Sequence, residues 1–235
     1  MKRFYKDVSV AESGGGFQLL LDGRPVRTPA KNTLVLPTRA LADSIAAEWA
    51  AQGDTVDPVS MPHLKLANAV IDGVAANRAD VIAAILRFGE NDALCYRAHE
   101  PPELARQQHE GWDPMLAWAE RRFGARLAAA AGLTHIDQPP EALAALGAAV
   151  AAHDDFSLAA LHVLASVTGS LVLALALSHG ETSAAHAFKL SRIDEAYQAE
   201  KWGQDAEAET RARNLARELG KAAEFIGHAR IMPAV

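Results

Sequence analysis

The chain has 235 residues, half of them hydrophobic and 22% charged, which is enough to bury one large core or two smaller ones and excludes an intrinsically disordered protein. Its formal net charge of −6, without a long run of Lys and Arg, argues against nucleic acid as a partner, because phosphate binding needs clustered basic side chains. The single cysteine, Cys95, excludes an internal disulfide framework and favours a reducing compartment.

The first 37 residues predict a small antiparallel sheet of four short strands. Phe17, Leu19 and Leu21 alternate along one strand, and Asp22-Gly23 after them is typical of a hairpin turn. The other strands are predicted around residues 4–10, at Val26, and at Leu34 and Leu36. This segment carries a net charge of +3 and the remaining chain −9. Such a sheet needs another element to cover its apolar face.

From Thr38 onward the hydrophobic period becomes that of a helix. Thr38 is the predicted N-cap of a first helix, and the chain after about Pro62 is predicted to be helical. The fold class is therefore α+β. A β-rich amino-terminal domain with one helix, residues 1–58, precedes a larger all-helical domain, residues 59–235. The predicted interruptions of the helical part include Pro101-Pro102, Pro114, Pro139-Pro140 and Gly180.

Residues 158–177 are almost uncharged and long enough to span a bilayer. The stretch contains His162 and Thr168, and it lacks the flanking aromatic or basic anchors of a membrane segment. We therefore expect a helix in the centre of a helical core. A peripheral membrane factor that uses this stretch is the alternative.

No catalytic constellation stands out in the sequence. Neither a phosphate-binding loop nor a Gly-x-Ser-x-Gly nucleophile motif is present. Cys95 and His99 are spaced to share a helix face, but zinc sites use more ligands at closer spacing, so we predict no metal site. Cys95 is predicted to be a small buried hydrophobic residue.

The acidic side chains concentrate between residues 194 and 209, next to two aromatic residues. Aromatic side chains at the edge of an acidic helix provide apolar anchors and charge complementarity for protein binding. A solvated helix face is the plainer interpretation of the same charges. We predict partner contacts at Asp194, Glu195, Tyr197, Glu200 and Trp202, with Arg24 and Arg27 as weaker candidates.

Several strings between residues 3 and 211 share an order and spacing that are hard to obtain by chance. They are Arg3-Phe4-Tyr5-Lys6, Leu21-Asp22-Gly23-Arg24-Pro25-Val26-Arg27-Thr28-Pro29, Leu36-Pro37-Thr38, Glu48-Trp49, Asp92-Ala93-Leu94-Cys95-Tyr96-Arg97-Ala98, Trp112-Asp113-Pro114 and Tyr197-Gln198-Ala199-Glu200-Lys201-Trp202-Gly203. Together they resemble the assembly chaperones that hold the alpha subunit of the F-type ATP synthase catalytic head before that head is built.

The resemblance implies a non-enzymatic protein without a cofactor. It implies binding to the unassembled alpha subunit, which shields its subunit-facing surface and prevents aggregation until a beta subunit replaces the chaperone. No signal or transit segment precedes the first strand, so we expect a bacterial cytoplasmic protein with relatives in the mitochondrial matrix. We expect a monomer that neither binds nucleic acid nor inserts into a membrane. The alternative function is a small-molecule enzyme with a carboxylate-lined site between its domains.

The resemblance also places functionally sensitive positions. An acidic one falls at Asp194 or Glu195. Glu48-Trp49 matches a second sensitive region, which we expect to act through folding because Trp49 lies in the apolar stripe of its helix. Residues 61–65 depart from the more apolar, threonine-containing pattern of the family.

Overall fold

The computed structural model describes residues 1–132, 134–203 and 205–230, which form two compact units. The first unit contains Met1–Arg78, Asp154–Ala160 and residues 224–230, and the second contains the described residues of Ala79–His153 and Leu161–Ala223. The predicted domains, 1–58 and 59–235, are continuous segments instead, and residues 133, 204 and 231–235 of the second lie outside the described residues. The boundary between residues 58 and 59 stays a prediction.

The described residues contain six strands and ten α-helices. The strands are β1 Val8–Ser13, β2 Gly16–Leu21, β3 Arg24–Pro25, β4 Val35–Leu36, β5 Tyr96–Arg97 and β6 Ala130–Ala131. The helices are α1 Arg39–Ala50, α2 Pro62–Ala69, α3 Arg78–Glu90, α4 Pro102–Phe123, α5 Pro140–Ala151, α6 Asp155–Thr168, α7 Leu171–Ser178, α8 Ala184–Ser191, α9 Ile193–Trp202 and α10 Ala206–Ala229. The α+β fold class predicted from the sequence is confirmed.

The predicted four-stranded antiparallel sheet is present in the first unit. Strand β2 pairs with β1, β3 and β4, with Leu21 opposite Arg24 and Phe17 opposite Leu36. Asp22 and Gly23 between β2 and β3 both have positive φ, at 48° and 74°, as a tight hairpin turn of this kind requires. Helix α1 packs against β1 and β2 and so covers the apolar side of the sheet.

Helix α1 begins where the sequence predicts. The hydroxyl of Thr38 accepts a hydrogen bond from the backbone N–H of Leu41 at 3.1 Å and so caps the helix. Leu41, Ile45 and Trp49 follow on one buried face. These four positions show that the change of period in the sequence marks a real change of structure.

Residues 158–177 form two helices rather than the single helix that we expected. Helix α6 ends at Thr168, Gly169 has a φ of 65°, and the Ser170 hydroxyl caps α7 by accepting from the N–H of Leu173 at 3.0 Å. Most side chains of the stretch are buried, as the core interpretation requires. No helix within the described residues has both the length and the apolar character needed to cross a membrane.

Two other details differ from the expected helical pattern of the carboxyl-terminal part. Strands β5 and β6 form a short parallel pair, with Tyr96 opposite Ala130, in a region predicted to be helical. Pro114 does not interrupt α4, which continues through it. The large side chains of Trp112 and Trp118 are buried on either side of Pro114, and this packing compensates for the backbone hydrogen bond that proline lacks.

Candidate functional site

Helix α9, which carries the predicted partner contacts, is positioned by one face of α4. Gly111 and Trp112 follow Gln108 by three and four residues, so all three lie on the same side of α4. The amide Nε2 of Gln108 donates to Oδ1 of Asp194 at 2.5 Å, and the indole N–H of Trp112 donates to the backbone oxygen of Leu190 at 2.8 Å. These two bonds fix the chain where α8 ends and α9 begins.

Gly111 permits the close approach of these helices. A Cβ atom at this position would lie 2.9 Å from Cδ2 of Leu190 and 3.0 Å from Cδ1 of Ile193. Such distances are too short for carbon atoms in van der Waals contact. A larger residue at position 111 would therefore force the side chains of Leu190 and Ile193 to shift.

A buried arginine holds α4 in turn. The guanidinium of Arg97 in β5 donates to the backbone oxygen of Gln108 at 3.0 Å and to the carboxylate of Asp113 at 2.7 Å. It also lies 5.2 Å from the centre of the Trp112 ring, in cation–π geometry. Both the string around Arg97 and the string Trp112-Asp113-Pro114 thus support α4, and through it α9.

The five predicted contact residues do not share one surface. Tyr197 is buried, with only 8% of its surface exposed, and Asp194 is half-buried and bonded to Gln108. Glu195 and Glu200 are exposed, and the Glu195 carboxylate lies 2.7 Å from the Arg192 guanidinium. Trp202 is 78% exposed at the last position of α9. Glu195, Glu200 and Trp202 are therefore open to a partner, whereas Tyr197 supports the helix from inside.

An open groove of about 430 Å³ lies along α9 and the beginning of α10. We call it the α9 groove; its lining includes Phe188, Glu195, Ala199, Trp202, Asp205 and Ala212. Of the predicted contacts, only Glu195 and Trp202 line it. The sequence pattern did not assign Phe188 or the alanines to a partner-binding surface. For the alanines, a signal was the spacing of Ala208 and Ala212, which places small side chains on one face of a helix.

The side chains of Glu48 and Trp49 serve the fold of the first unit. The Glu48 carboxylate accepts hydrogen bonds from the backbone N–H groups of His63 at 2.8 Å and Leu64 at 2.9 Å. It thereby caps α2, whose N-cap residue Met61 contributes no side-chain bond. Trp49 is buried, and its backbone oxygen accepts from the hydroxyl of Tyr5 at 2.7 Å. These contacts support the expectation that this pair acts through folding.

A carboxyl group with a strongly raised pKa is also structural. Asp92 is fully buried, and burial raises its pKa from 3.8 to about 6. Its two oxygens accept from the N–H groups of Leu94 and Val172, each at 3.0 Å. Burial also raises the pKa of the neighbouring Cys95 thiol to about 12, so this cysteine stays protonated and unreactive. Among the described residues, no three His, Cys, Asp or Glu side chains are arranged to hold a metal ion.

Arg24 and Arg27, the weaker candidates, lie in the first unit on a different groove of about 620 Å³. We call it the amino-terminal groove; its lining includes Phe4, Tyr5, Arg24, Pro25, Arg27 and Trp49. Phe4 is 61% exposed, which is unusual for a large aromatic side chain. The sequence analysis did not assign Phe4 a role, although it lies in one of the strings that carry the resemblance.

Comparisons with known proteins agree on one family. A family described as ATP12 chaperone protein matches residues 2–120, just over half of the chain. Protein atp12, mitochondrial, from Schizosaccharomyces pombe is 23% identical over 214 residues, which cover 86% of this chain and 74% of that protein. The crystal structure of Atp12 from Paracoccus denitrificans is 43% identical and has a TM-score of 0.94, with 97% of this chain and 98% of the other covered. For the Atu1473 protein from Agrobacterium tumefaciens the identity is 46% and the TM-score 0.92, with 97% and 85% covered.

Proposed function

We propose that this chain, which belongs to the ATP12 chaperone family, binds the unassembled alpha subunit of the F-type ATP synthase catalytic head. The protein is a chaperone of ATP synthase assembly. In the proposed role it covers the surface of the alpha subunit that later faces a beta subunit, prevents aggregation of that surface, and leaves when the beta subunit takes its place.

The observation that carries this proposal is the exposed side chain of Trp202 at the rim of the α9 groove. Tryptophan is among the residue types most enriched at the binding hot spots of protein interfaces, and an exposed one at the rim of a groove is placed to act as such an anchor. Glu195, whose carboxylate pairs with the Arg192 guanidinium, and Asp205 line the same groove, and together these three side chains give it a net negative charge beside this apolar anchor. Aromatic residues of this kind dominate the binding energy of protein interfaces, and surrounding charges select the partner.

The physical chemistry of ring assembly is consistent with this role. A subunit of a ring exposes apolar contact surfaces before its neighbours arrive, and such surfaces aggregate or pair wrongly. A chaperone that covers them must bind less tightly than the final partner, so that mass action favours the assembled ring. A small groove with one aromatic anchor fits such intermediate affinity better than an extended apolar interface does.

The proposal is tested by the aggregation of purified alpha subunit, followed by light scattering, with and without this chain. We expect the wild-type protein to suppress aggregation and to be displaced by added beta subunit. Trp202→Ala and Glu195→Lys should each weaken capture by roughly tenfold. The matched control is Glu218→Lys, which reverses an exposed charge of the second unit that does not line the groove.

Two outcomes would contradict the proposal in different ways. If wild-type protein leaves the aggregation of the alpha subunit unchanged, the assignment of the client is wrong. If both groove variants are folded and capture the client as well as wild type does, the α9 groove is not the docking surface.

We further propose that the protein acts without catalysis in the bacterial cytoplasm. The relatives named above support a chaperone role, and the bacterial ones are more similar to this chain than the mitochondrial one. The buried carboxyl of Asp92 has a raised pKa, as catalytic acids often have, but its oxygens are bonded to backbone N–H groups inside the core. We also propose that the protein is a monomer.

A further inference from the structure

The aromatic side of the amino-terminal groove is held by the contacts of its own rings. The centres of the Phe4 and Tyr5 rings are 5.4 Å apart, and those of Tyr5 and Trp49 are 5.3 Å apart, both in edge-to-face geometry. Phe4 also lies edge-on to Trp49, at 6.5 Å. These separations are typical of stabilising aromatic pairs. The exposed ring of Phe4 is therefore presented by a preformed cluster.

The other side of the groove carries positive charge. Arg24 and Arg27 are exposed, and neither forms a salt bridge within the described part of the chain. The guanidinium of Arg27 donates one bond, of 3.0 Å, to the backbone oxygen of Lys31. Two guanidinium groups with donors to spare match the geometry of carboxylates, which can accept two bonds from one arginine.

Among the described residues, the one acidic side chain that lines this groove, Asp22, already accepts hydrogen bonds within the protein. Oδ1 of Asp22 accepts hydrogen bonds from the backbone N–H groups of Lys6 at 2.9 Å and Asp7 at 2.8 Å. These bonds, with smaller contributions from the charges of Lys6 and Arg24, hold the pKa of Asp22 below its ordinary value. Asp22 therefore stabilises the β2–β3 turn as a carboxylate, and the two arginines of the groove exceed its single negative charge.

We propose that the amino-terminal groove is a docking site for an acidic, extended peptide segment of a partner protein, with a large apolar side chain against Phe4 and carboxylates on Arg24 and Arg27. The volume of about 620 Å³ is in the range of sites that bind small ligands or short segments. Grooves lined by aromatic side chains are a recurring type of docking site for extended peptide segments. Charge complementarity selects acidic sequences among them.

This proposal does not depend on the identity of the client in the preceding subsection. The α9 groove binds through an acidic and aromatic surface of this chain, whereas the amino-terminal groove supplies the basic charge itself. A protein that docks on both must present regions of both signs. The two sites can therefore be tested with separate probes.

The test uses fluorescence anisotropy of a short labelled peptide in which one Phe is flanked by Glu residues, titrated with the full chain. We expect saturable binding that weakens at high salt, because the contacts on Arg24 and Arg27 are exposed. The same peptide with Gln in place of Glu, or with Ala in place of Phe, should bind at least about tenfold more weakly. These two probes separate the charge from the apolar anchor.

Variants of the protein locate the site. Arg24→Glu, Arg27→Glu and Phe4→Ala should each weaken binding of the acidic peptide by roughly tenfold, and circular dichroism should show the fold unchanged. Lys65→Glu is the matched control, since it reverses an exposed basic charge of the first unit that does not line the groove, and it should have no effect.

Several results would overturn the proposal. The acidic peptide could fail to bind in a saturable way, the Gln peptide could bind equally well, or the arginine variants could bind like wild type. Sedimentation that shows self-association lost in Arg24→Glu would identify a second copy of this chain as the occupant instead. If the protein binds the peptide but does not capture the alpha subunit, only the proposed function is contradicted. If it captures the alpha subunit but does not bind the peptide, only the peptide site is contradicted.

Discussion

The α9 groove and the amino-terminal groove each place an exposed aromatic side chain beside charged groups, but the charges and the support of the aromatic ring differ. Trp202 ends a helix in an acidic setting, and within the described residues no other ring contacts it. Phe4 lies in a basic setting against two other rings. The comparison shows that an exposed aromatic residue can be an isolated anchor or the visible edge of a cluster that also stabilises the fold.

The largest expected effect separates these two kinds of aromatic residue. Trp49→Ala should reduce the free energy of unfolding by about 3–5 kcal/mol, because it removes a buried indole from the aromatic cluster. Trp202→Ala should change it by less than about 0.5 kcal/mol, because the side chain is exposed. Urea denaturation followed by circular dichroism measures both. If the two variants were equally destabilised, Trp49 would not differ from Trp202 in its contribution to the fold.

The second prediction compares how Asp92 in the second unit and Asp22 in the first unit make the stability of the protein depend on pH. The folded pKa of Asp92 is raised to about 6, so the folded state keeps a proton that the unfolded chain loses near 3.8. Stability from this group should therefore fall between about pH 4 and pH 6, by on the order of 3 kcal/mol. The pKa of Asp22 is lowered, so its contribution is present above the ordinary pKa and is lost as the pH falls below it.

Chemical denaturation from pH 3 to pH 7 checks both signs. Asp92→Asn should be less stable than wild type, and the difference should be greatest at low pH and decrease as the pH rises through about 6. For Asp22→Asn the difference should instead increase as the pH rises from 3. Parallel pH profiles for the two variants would show that burial does not dominate the ionisation of Asp92.

The third prediction concerns a substitution that should affect the α9 groove and leave the amino-terminal groove unchanged. Gly111→Ala should cost about 1–3 kcal/mol, because the added Cβ overlaps Leu190 and Ile193 at the start of α9. Gly220→Ala is the control. Apart from its own helix backbone and chain neighbours, no described atom lies within 4 Å of its added Cβ, and alanine favours a helix by up to about 1 kcal/mol.

Binding assays then show whether the damage is local. Gly111→Ala should weaken capture of the alpha subunit, because the side chains of Leu190 and Ile193 at the start of α9 must shift, and should leave binding of the acidic peptide unchanged. Loss of both activities in a folded Gly111→Ala protein would mean that the two grooves are not independent.

The smallest effect concerns the cap on α2. Glu48→Gln should destabilise the protein by about 1 kcal/mol, because an amide provides one acceptor where the carboxylate serves two N–H groups. Asp43→Asn, which removes an exposed pair with Arg39, should cost no more than about 0.5 kcal/mol. Thermal unfolding measures both. A Glu48→Gln protein of wild-type stability that fails to capture client would show a binding role instead of a folding role.

Local chemistry in the sequence was enough to predict most of the first unit. Asp22 and Gly23 at the hairpin turn, and Thr38 at the start of α1, act on their immediate neighbours, so the pattern of a few residues decides the structure there. Asp154 similarly caps α6 by accepting from the N–H of Ser157 at 2.9 Å. In the second unit, the pairs Glu207 with Arg211 and Glu209 with Arg213, each four residues apart in α10, are present at 3.2 and 3.5 Å.

The sequence was less informative where a structure depends on residues far apart in the chain. The parallel pair β5–β6 joins segments more than thirty residues apart, and no local period indicates it. The break at Gly169 was hidden because the residues on both sides are equally apolar. For the candidate site, the acidic and aromatic composition of α9 predicted partner contacts on this helix. It could not distinguish exposed Trp202 from buried Tyr197.

The sequence by itself therefore determined the family resemblance, the fold class, the turns and the helix caps, because these depend on residue identity and on contacts close along the chain. The tertiary structure decided which acidic and aromatic side chains face solvent, since that depends on what packs against each helix face. Only the fold places Phe4 beside Trp49, and Gln108 against Asp194, because neither pair is close in sequence. These long-range contacts define both grooves, and no linear pattern of residues specifies them.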